Sequence, residues 1–116
     1  MSLKTTDAIT GYGGSGIVLI GGKILDMNPS LKLRNHSPTG FAWGYGGSGP
    51  SQLALAILLE VTDEESALRL YQQFKWDVVS RLKNNFSLNV MDVVNWVGKT
   101  KVQDSSGDLA NVLTKA

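Results

Sequence analysis

The stretch FAWGYGGSGPSQLALA, Phe41 to Ala56, runs a glycine-rich turn straight into an apolar helical pattern, and this junction is where the chain is best placed to hold a ligand. The first turn of a helix leaves backbone N–H groups without intrahelical acceptors and carries roughly half a positive charge. Glycine ahead of it lets a phosphate or carboxylate approach the main chain closely. Gly47, Ser48, Gly49 and Ser51 are the candidate contacts, and Gln52, a polar side chain in the first turn of an otherwise apolar helix, can face the loop before it. The run is neither a G-x-G-x-x-G after a clear strand nor a G-x-x-x-x-G-K followed by Ser or Thr, so no motif specifies a nucleotide. A purely structural reading stands beside this one, in which Ser48 or Gly49 caps the helix and Gly46 and Gly47 supply positive-φ turn geometry.

Just upstream, LRNHSPTGF places the only histidine, His36, beside Arg34, Asn35, Ser37 and Thr39. Such a density of donors can line a polar pocket, with Arg34 as the charge partner of an anion. Equally, His36 and Asn35 can bond local backbone to hold an irregular loop. Trp43 and Tyr45 flank Gly44 and offer rings on which a planar ligand such as a base can stack, or they pack half-buried. His36 lacks an oriented acid and nucleophile in the sequence pattern, and a lone histidine without cysteine is a poor metal ligand set. The expectation is therefore a non-enzymatic domain with no metal and no cofactor. Asp63, Glu64 and Glu65 read as helix N-terminal charge, and Arg81, Lys83, Lys99 and Lys101 as cations near helix ends.

The elements that must position these residues follow from periodicity. IVLIGGKIL, Ile17 to Leu25, predicts a β-hairpin turning at Gly21-Gly22. Asp26 to Gly49 carries Pro, Gly, Asn and Ser without helical period and is expected as loop, with one further strand at Lys32 to Arg34. PSQLALAILLEV predicts a buried central helix from Pro50, and Thr62-Asp-Glu-Glu65 a capping box opening a second helix. In that helix Leu68, Tyr71, Phe74, Val78 and Leu82 form one stripe, ended by Asn84-Asn85. A third helix is expected from Asn89 to Val97, with Val90, Val93, Val94 and Val97 on one side and Gly98 closing it. The fold class is α+β: a short N-terminal β-hairpin or small antiparallel sheet packed on a C-terminal bundle of three helices. Residues 1–10 are expected as a flexible N-terminus, 11–98 as a single domain, and 99–116 as a polar tail or a short helix docking Leu109 and Val112.

Bulk properties narrow the partners. At 116 residues with a formal charge of +1 the chain is the size of one domain, and it lacks the basic excess typical of nucleic-acid binding. There is no cysteine, which excludes disulfides and thiolate chemistry. The longest apolar runs fall well short of the ~20 residues of a membrane span, and MSLKTTDAIT has no apolar signal core, so a soluble cytoplasmic protein is expected.

The run HSPTGFAWGYGGSGPSQLALAILL, followed by ALRLYQQFKWDVVSRL, resembles a small uncharacterised domain family of prokaryotes and their phages. Its hallmark is H-S-P-x-G-F-x-W-G-Y-x-G-S-G-P-x-Q-L-A-L-A leading into A-L-x-x-Y-x-x-F-K, and the likeness covers Leu31 to Leu82. It implies importance for His36, Ser37, Pro38, Gly40, Phe41, Trp43, Gly44, Tyr45, Gly47, Ser48, Gly49, Pro50 and Gln52, with Tyr71, Phe74 and Lys75, and it implies no reaction. GYGGSG also occurs at Gly11 to Gly16, outside this signature, where it reads as a lead-in or bulge before a strand unless the two copies meet in space.

Two functions of different class fit. One is a binding module whose HSPTG and GYGGSG loops hold a small anionic or nucleotide-like ligand through Arg34, His36, Ser37, Trp43, Tyr45, Gly47, Ser48, Gly49 and Gln52. The other is an interaction protein that forms a homo-oligomer, or pairs with a partner, through an apolar helical face.

Overall fold

Along the chain run β1 (Ala8–Gly11), β2 (Val18–Ile20), β3 (Lys23–Ile24), α1 (Asn28–Leu33), α2 (Ser48–Val61), α3 (Glu64–Asp77), a 3-10 turn (Val79–Arg81), β4 (Phe86–Asn89) and α4 (Val90–Lys115). The computed structural model describes residues 3–115, with side chains as far as Gln103. The α+β class expected from the sequence holds.

The strands form one antiparallel sheet in the order β3-β2-β1-β4. β1 is therefore interior, with Ile9 paired to Ile20 on one side and Leu88 on the other, and Ile9 is fully buried. The flexible N-terminus expected through residue 10 thus gives way to sheet from Ala8 onward, because the second pairing comes from β4, a distant strand that local pattern does not reveal. The hairpin turn falls where expected, with Gly21 at φ 58° and Gly22 at φ 79°, both in the left-handed region that a two-residue turn needs.

NPSLKL forms α1 in place of the strand expected at Lys32 to Arg34. Pro29 sits in its first turn, where a missing N–H costs nothing, and the Asp26 carboxylate accepts the Asn28 N–H at 2.9 Å. The same Pro and Asn had read as loop punctuation. α2 is the core of the molecule, buried at every residue from Gly49 to Leu58. α3 returns antiparallel beside it. Thr62 ends α2 by giving its N–H to the Leu58 carbonyl, so the cap of α3 passes one residue on, to Asp63, whose carboxylate accepts the Ser66 N–H at 3.1 Å. The expected Thr62 capping box is replaced by this arrangement.

α3 ends at Asp77 and the 3-10 turn leads to β4, so the helix is shorter than its apolar stripe suggested. Asp92 reaches back to the Asn89 N–H at 3.1 Å and opens α4. Val90, Val93 and Val97 face the core as expected, whereas Val94 is turned outward and Gly98 does not end the helix. The docking expected of Leu109 and Val112 lies outside the described side chains. Trp96 fastens α4 to α3, its ring edge-to-face on Phe74 at 4.9 Å and its indole N–H donated to Asp77 at 3.1 Å. No helix among the described residues is long and apolar enough to cross a membrane.

Hydrogen bonds from the Ser66 hydroxyl and backbone N–H hold the Asp63 carboxyl well below the usual carboxylate range. Its contribution is present above the unfolded value of about 4 and is lost as pH falls toward the depressed folded value. Asp63→Ala should therefore lower the melting temperature at pH 7, with the gap to wild type closing as pH is taken below about 4. Paired thermal melts across pH 2–8 check this, and a gap independent of pH would contradict it.

Candidate functional site

Gln52 is fully buried, and every hydrogen-bonding position of its carboxamide is filled by the chain. Its Nε2 donates to Ser30 Oγ at 2.8 Å and to the Arg34 carbonyl at 3.0 Å, and its Oε1 accepts the N–H groups of His36 at 2.7 Å and Ser37 at 3.0 Å. A glutamine can do this because its amide carries two donors and two acceptor lone pairs, the same groups a strand or helix would offer the loop. His36 is then set beside Tyr71, with Nε2 and the phenol oxygen 2.8 Å apart, while Ser37 Oγ donates to the Gly40 carbonyl. Arg34 turns back, its guanidinium donating to the Leu33 carbonyl at 2.7 Å. Of the expected ligand contacts, Arg34, His36, Ser37 and Gln52 are thus engaged within the loop and its supports, and Gln52 has no group left for a ligand.

The second GYGGSG is held from another side. Trp43 gives its indole N–H to the Asn84 carbonyl at 3.0 Å and meets Phe86 edge-to-face, and Gly44 N–H bonds the Val79 carbonyl at 3.0 Å. Gly47 is the N-cap of α2, in extended conformation and without a side-chain acceptor. The positive-φ residue of this copy is Gly44, at 88°, while Gly46 and Gly47 are glycine for want of space. A Cβ on Gly46 would run into the Trp76 ring, and one on Gly47 would come within 2.6 Å of the Tyr45 ring.

At this point α2 begins with the N–H groups of Ser48 and Gly49 lacking an acceptor among the described residues, and with no acidic residue in its first turn. Ser48 is exposed, and Ser51 is buried with its hydroxyl 3.5 Å from Gln72 Oε1. Because α2 and α3 run antiparallel with Ser51 opposite Gln72, Lys75 one turn further along α3 stands opposite Ser48. Lys75 is only 7 % exposed, and its Nζ lies 4.4 Å from the centroid of the Trp76 ring that packs on Gly46. Its ammonium makes no hydrogen bond or ion pair with another described residue. Since no fully buried side-chain nitrogen or oxygen among the described residues lacks a partner, the stem is buried and the head reaches water beside the Trp76 ring.

The first GYGGSG lies elsewhere. Gly13 to Ile17 forms one wall of an open cleft of about 600 Å³ whose other wall is Thr39 to Trp43, with Asn84 between them. The two copies of the hexapeptide are therefore neighbours through the run that precedes the second copy, and this cleft carries no charged side chain. Among the described residues, no three His, Asp or Glu side chains gather as a metal site.

The structure brings together Tyr45, Gly47, Ser48 and Gly49 with Lys75 and Trp76, and sets Arg34, His36, Ser37 and Gln52 apart as a support. Lys75 is given no role by the residues themselves and is singled out only by the family resemblance. The signal in the residues was its place four after Tyr71, on the apolar side of α3, although a cation in the last turn of a helix is favourable for its own sake.

Gln52→Ala should leave the Arg34 carbonyl and the His36 and Ser37 N–H groups without partners, Ser30 Oγ keeping its bond to Met27, and cost about 3 kcal/mol in urea denaturation, with faster amide exchange at His36 and Ser37. Gly46→Ala should cost about 1–3 kcal/mol, and less in a Trp76→Ala background because the collision is gone; equal costs in both backgrounds would refute the steric account.

Residues 10–99 match the model described as Family of unknown function (DUF6166). No curated protein and no solved structure matches the chain.

Proposed function

The chain belongs to that family of unknown function, and from its own geometry we propose that it is a non-enzymatic binding domain holding a small anion at the start of α2. The observation that carries this reading is Lys75. A cation is favourable in the last turn of α3, but an exposed lysine bonded to the α3 carbonyls would serve that purpose. Lys75 is instead only 7 % exposed, its ammonium over the Trp76 ring and without a hydrogen bond or ion pair among the described residues, and the register of α2 and α3 sets it opposite the start of α2. Two like electrostatic centres face one space with no acidic side chain from the first turn of α2 between them, and a phosphate or carboxylate is the group that resolves this. Ser48, which is exposed, supplies a hydroxyl and an N–H, with the N–H of the neighbouring Gly49 also lacking an acceptor among the described residues.

A second reading, assembly through the helical face, is favoured by one feature. Met91, Val94 and Val102 are 43 %, 37 % and 64 % exposed along the outer side of α4. Sedimentation over a wide concentration range separates the two, since a strict monomer leaves assembly without support.

Thermal shift with inorganic phosphate, pyrophosphate and sulfate tests the anion site. An anion at 100 times its dissociation constant adds about 2.7 kcal/mol, a shift of several degrees in a domain of this size. Lys75→Met keeps the buried stem and should abolish the shift, and Ser48→Ala should reduce it. A shift that persists in Lys75→Met, or none with any of the three anions, overturns the reading.

A further inference from the structure

We infer that the ligand carries a planar aromatic ring beside its anionic group, which makes it a nucleoside phosphate; this rests on the anion site at the start of α2. The evidence is the pair of rings that stand over the glycine turn. Tyr45 is 55 % exposed and Trp76 56 %, whereas Phe41, Tyr71, Phe74 and Phe86 are all buried; Tyr12, at 52 %, belongs to the first GYGGSG. Tyr45 and Trp76 are drawn onto the turn by missing side chains, Trp76 against Gly46 and Tyr45 against Gly47. Each also keeps an unspent polar edge. Trp43 and Trp96 each donate an indole N–H within the chain, and Tyr71 is bonded to His36, while the Trp76 indole N–H and the Tyr45 hydroxyl have no partner among the described residues.

Their position relative to the charge fixes the class of ligand. The backbone N–H of Ser48 is the next group along from Gly47, which Tyr45 covers, and the Lys75 ammonium lies over Trp76 itself. A phosphate on Ser48, Gly49 and Lys75 therefore has an aromatic face to either side, and a base joined to it through one sugar reaches Tyr45 or Trp76. Stacking of this kind accepts any base, because each has a π face, and the free indole N–H and phenol hydroxyl can meet polar atoms on its edge. An inorganic anion would leave both rings in water.

The test is calorimetric titration of the full chain with adenosine 5′-monophosphate, inorganic phosphate, phenyl phosphate and adenosine. The nucleotide is expected to bind about tenfold or more tightly than inorganic phosphate, with phenyl phosphate between them. Tyr45→Ala and Trp76→Ala should each reduce the nucleotide's advantage over inorganic phosphate; both side chains are more than half exposed, and a thermal melt of each variant confirms folding. Nucleotide binding should quench tryptophan emission in wild type and not in Trp76→Phe. Equal affinity for nucleotide and inorganic phosphate overturns this inference and leaves the anion site standing. Adenosine binding as tightly as its monophosphate, with Lys75→Met silent, overturns both, as does the absence of binding by all four compounds.

Discussion

A single buried carboxamide organises the most irregular part of this protein. The chain between α1 and α2 has almost no regular structure of its own, and its backbone groups at Arg34, His36 and Ser37 need partners away from water. Gln52 supplies them from inside the first turns of α2, in four bonds of 2.7 to 3.0 Å. One of those bonds goes to Ser30 of α1, so the short helix, the loop and the central helix share one hydrogen-bonded centre. Where α2 lies thus determines where the HSPTG segment lies, and hence how Phe41 enters the core and Trp43 reaches Asn84.

That arrangement separates two tasks which the sequence places within a few residues of each other. Polar residues upstream of the glycine turn hold shape, and their hydrogen bonds are spent on one another. The turn itself, with Ser48, keeps backbone N–H groups without an acceptor among the described residues, and the last turn of α3 packs back beside it through Trp76. Antiparallel packing makes this division possible, because the end of α3 is delivered to the start of α2 while the tight Thr62-Asp63 junction stays at the far end.

Much of this was legible in the sequence. The hairpin at Gly21-Gly22, the buried α2 and the inner valines of α4 follow from local pattern, because turn chemistry and apolar period are local properties. The interior place of β1 was not legible, since it depends on pairing with β4 some seventy-five residues away. α1 was hidden because Pro29 and Asn28 serve equally to break a chain or to begin a helix. At the candidate site, the junction of glycine turn and helix was visible, whereas Lys75 stood out only through the family resemblance and not as a cation near that turn. Lys75 lies on another helix, and only the register between Ser51 and Gln72 brings it to Ser48. Gln52 was visible as an anomaly in an apolar helix, but its four partners come from a loop whose path no periodicity describes.

Two glycines in this structure are defined by the rings that fill their place, Gly46 by Trp76 and Gly11 by Phe86. Each pair joins residues that are remote in the chain, and in each the constraint is mutual. While the ring is present, no side chain fits at the glycine; where the ring is lost, the glycine has no further reason to persist. The evolutionary consequence is linked substitution. Within the family, positions 46 and 76, and positions 11 and 86, should change together and not one at a time, so that each contact leaves a trace in the variation of related sequences.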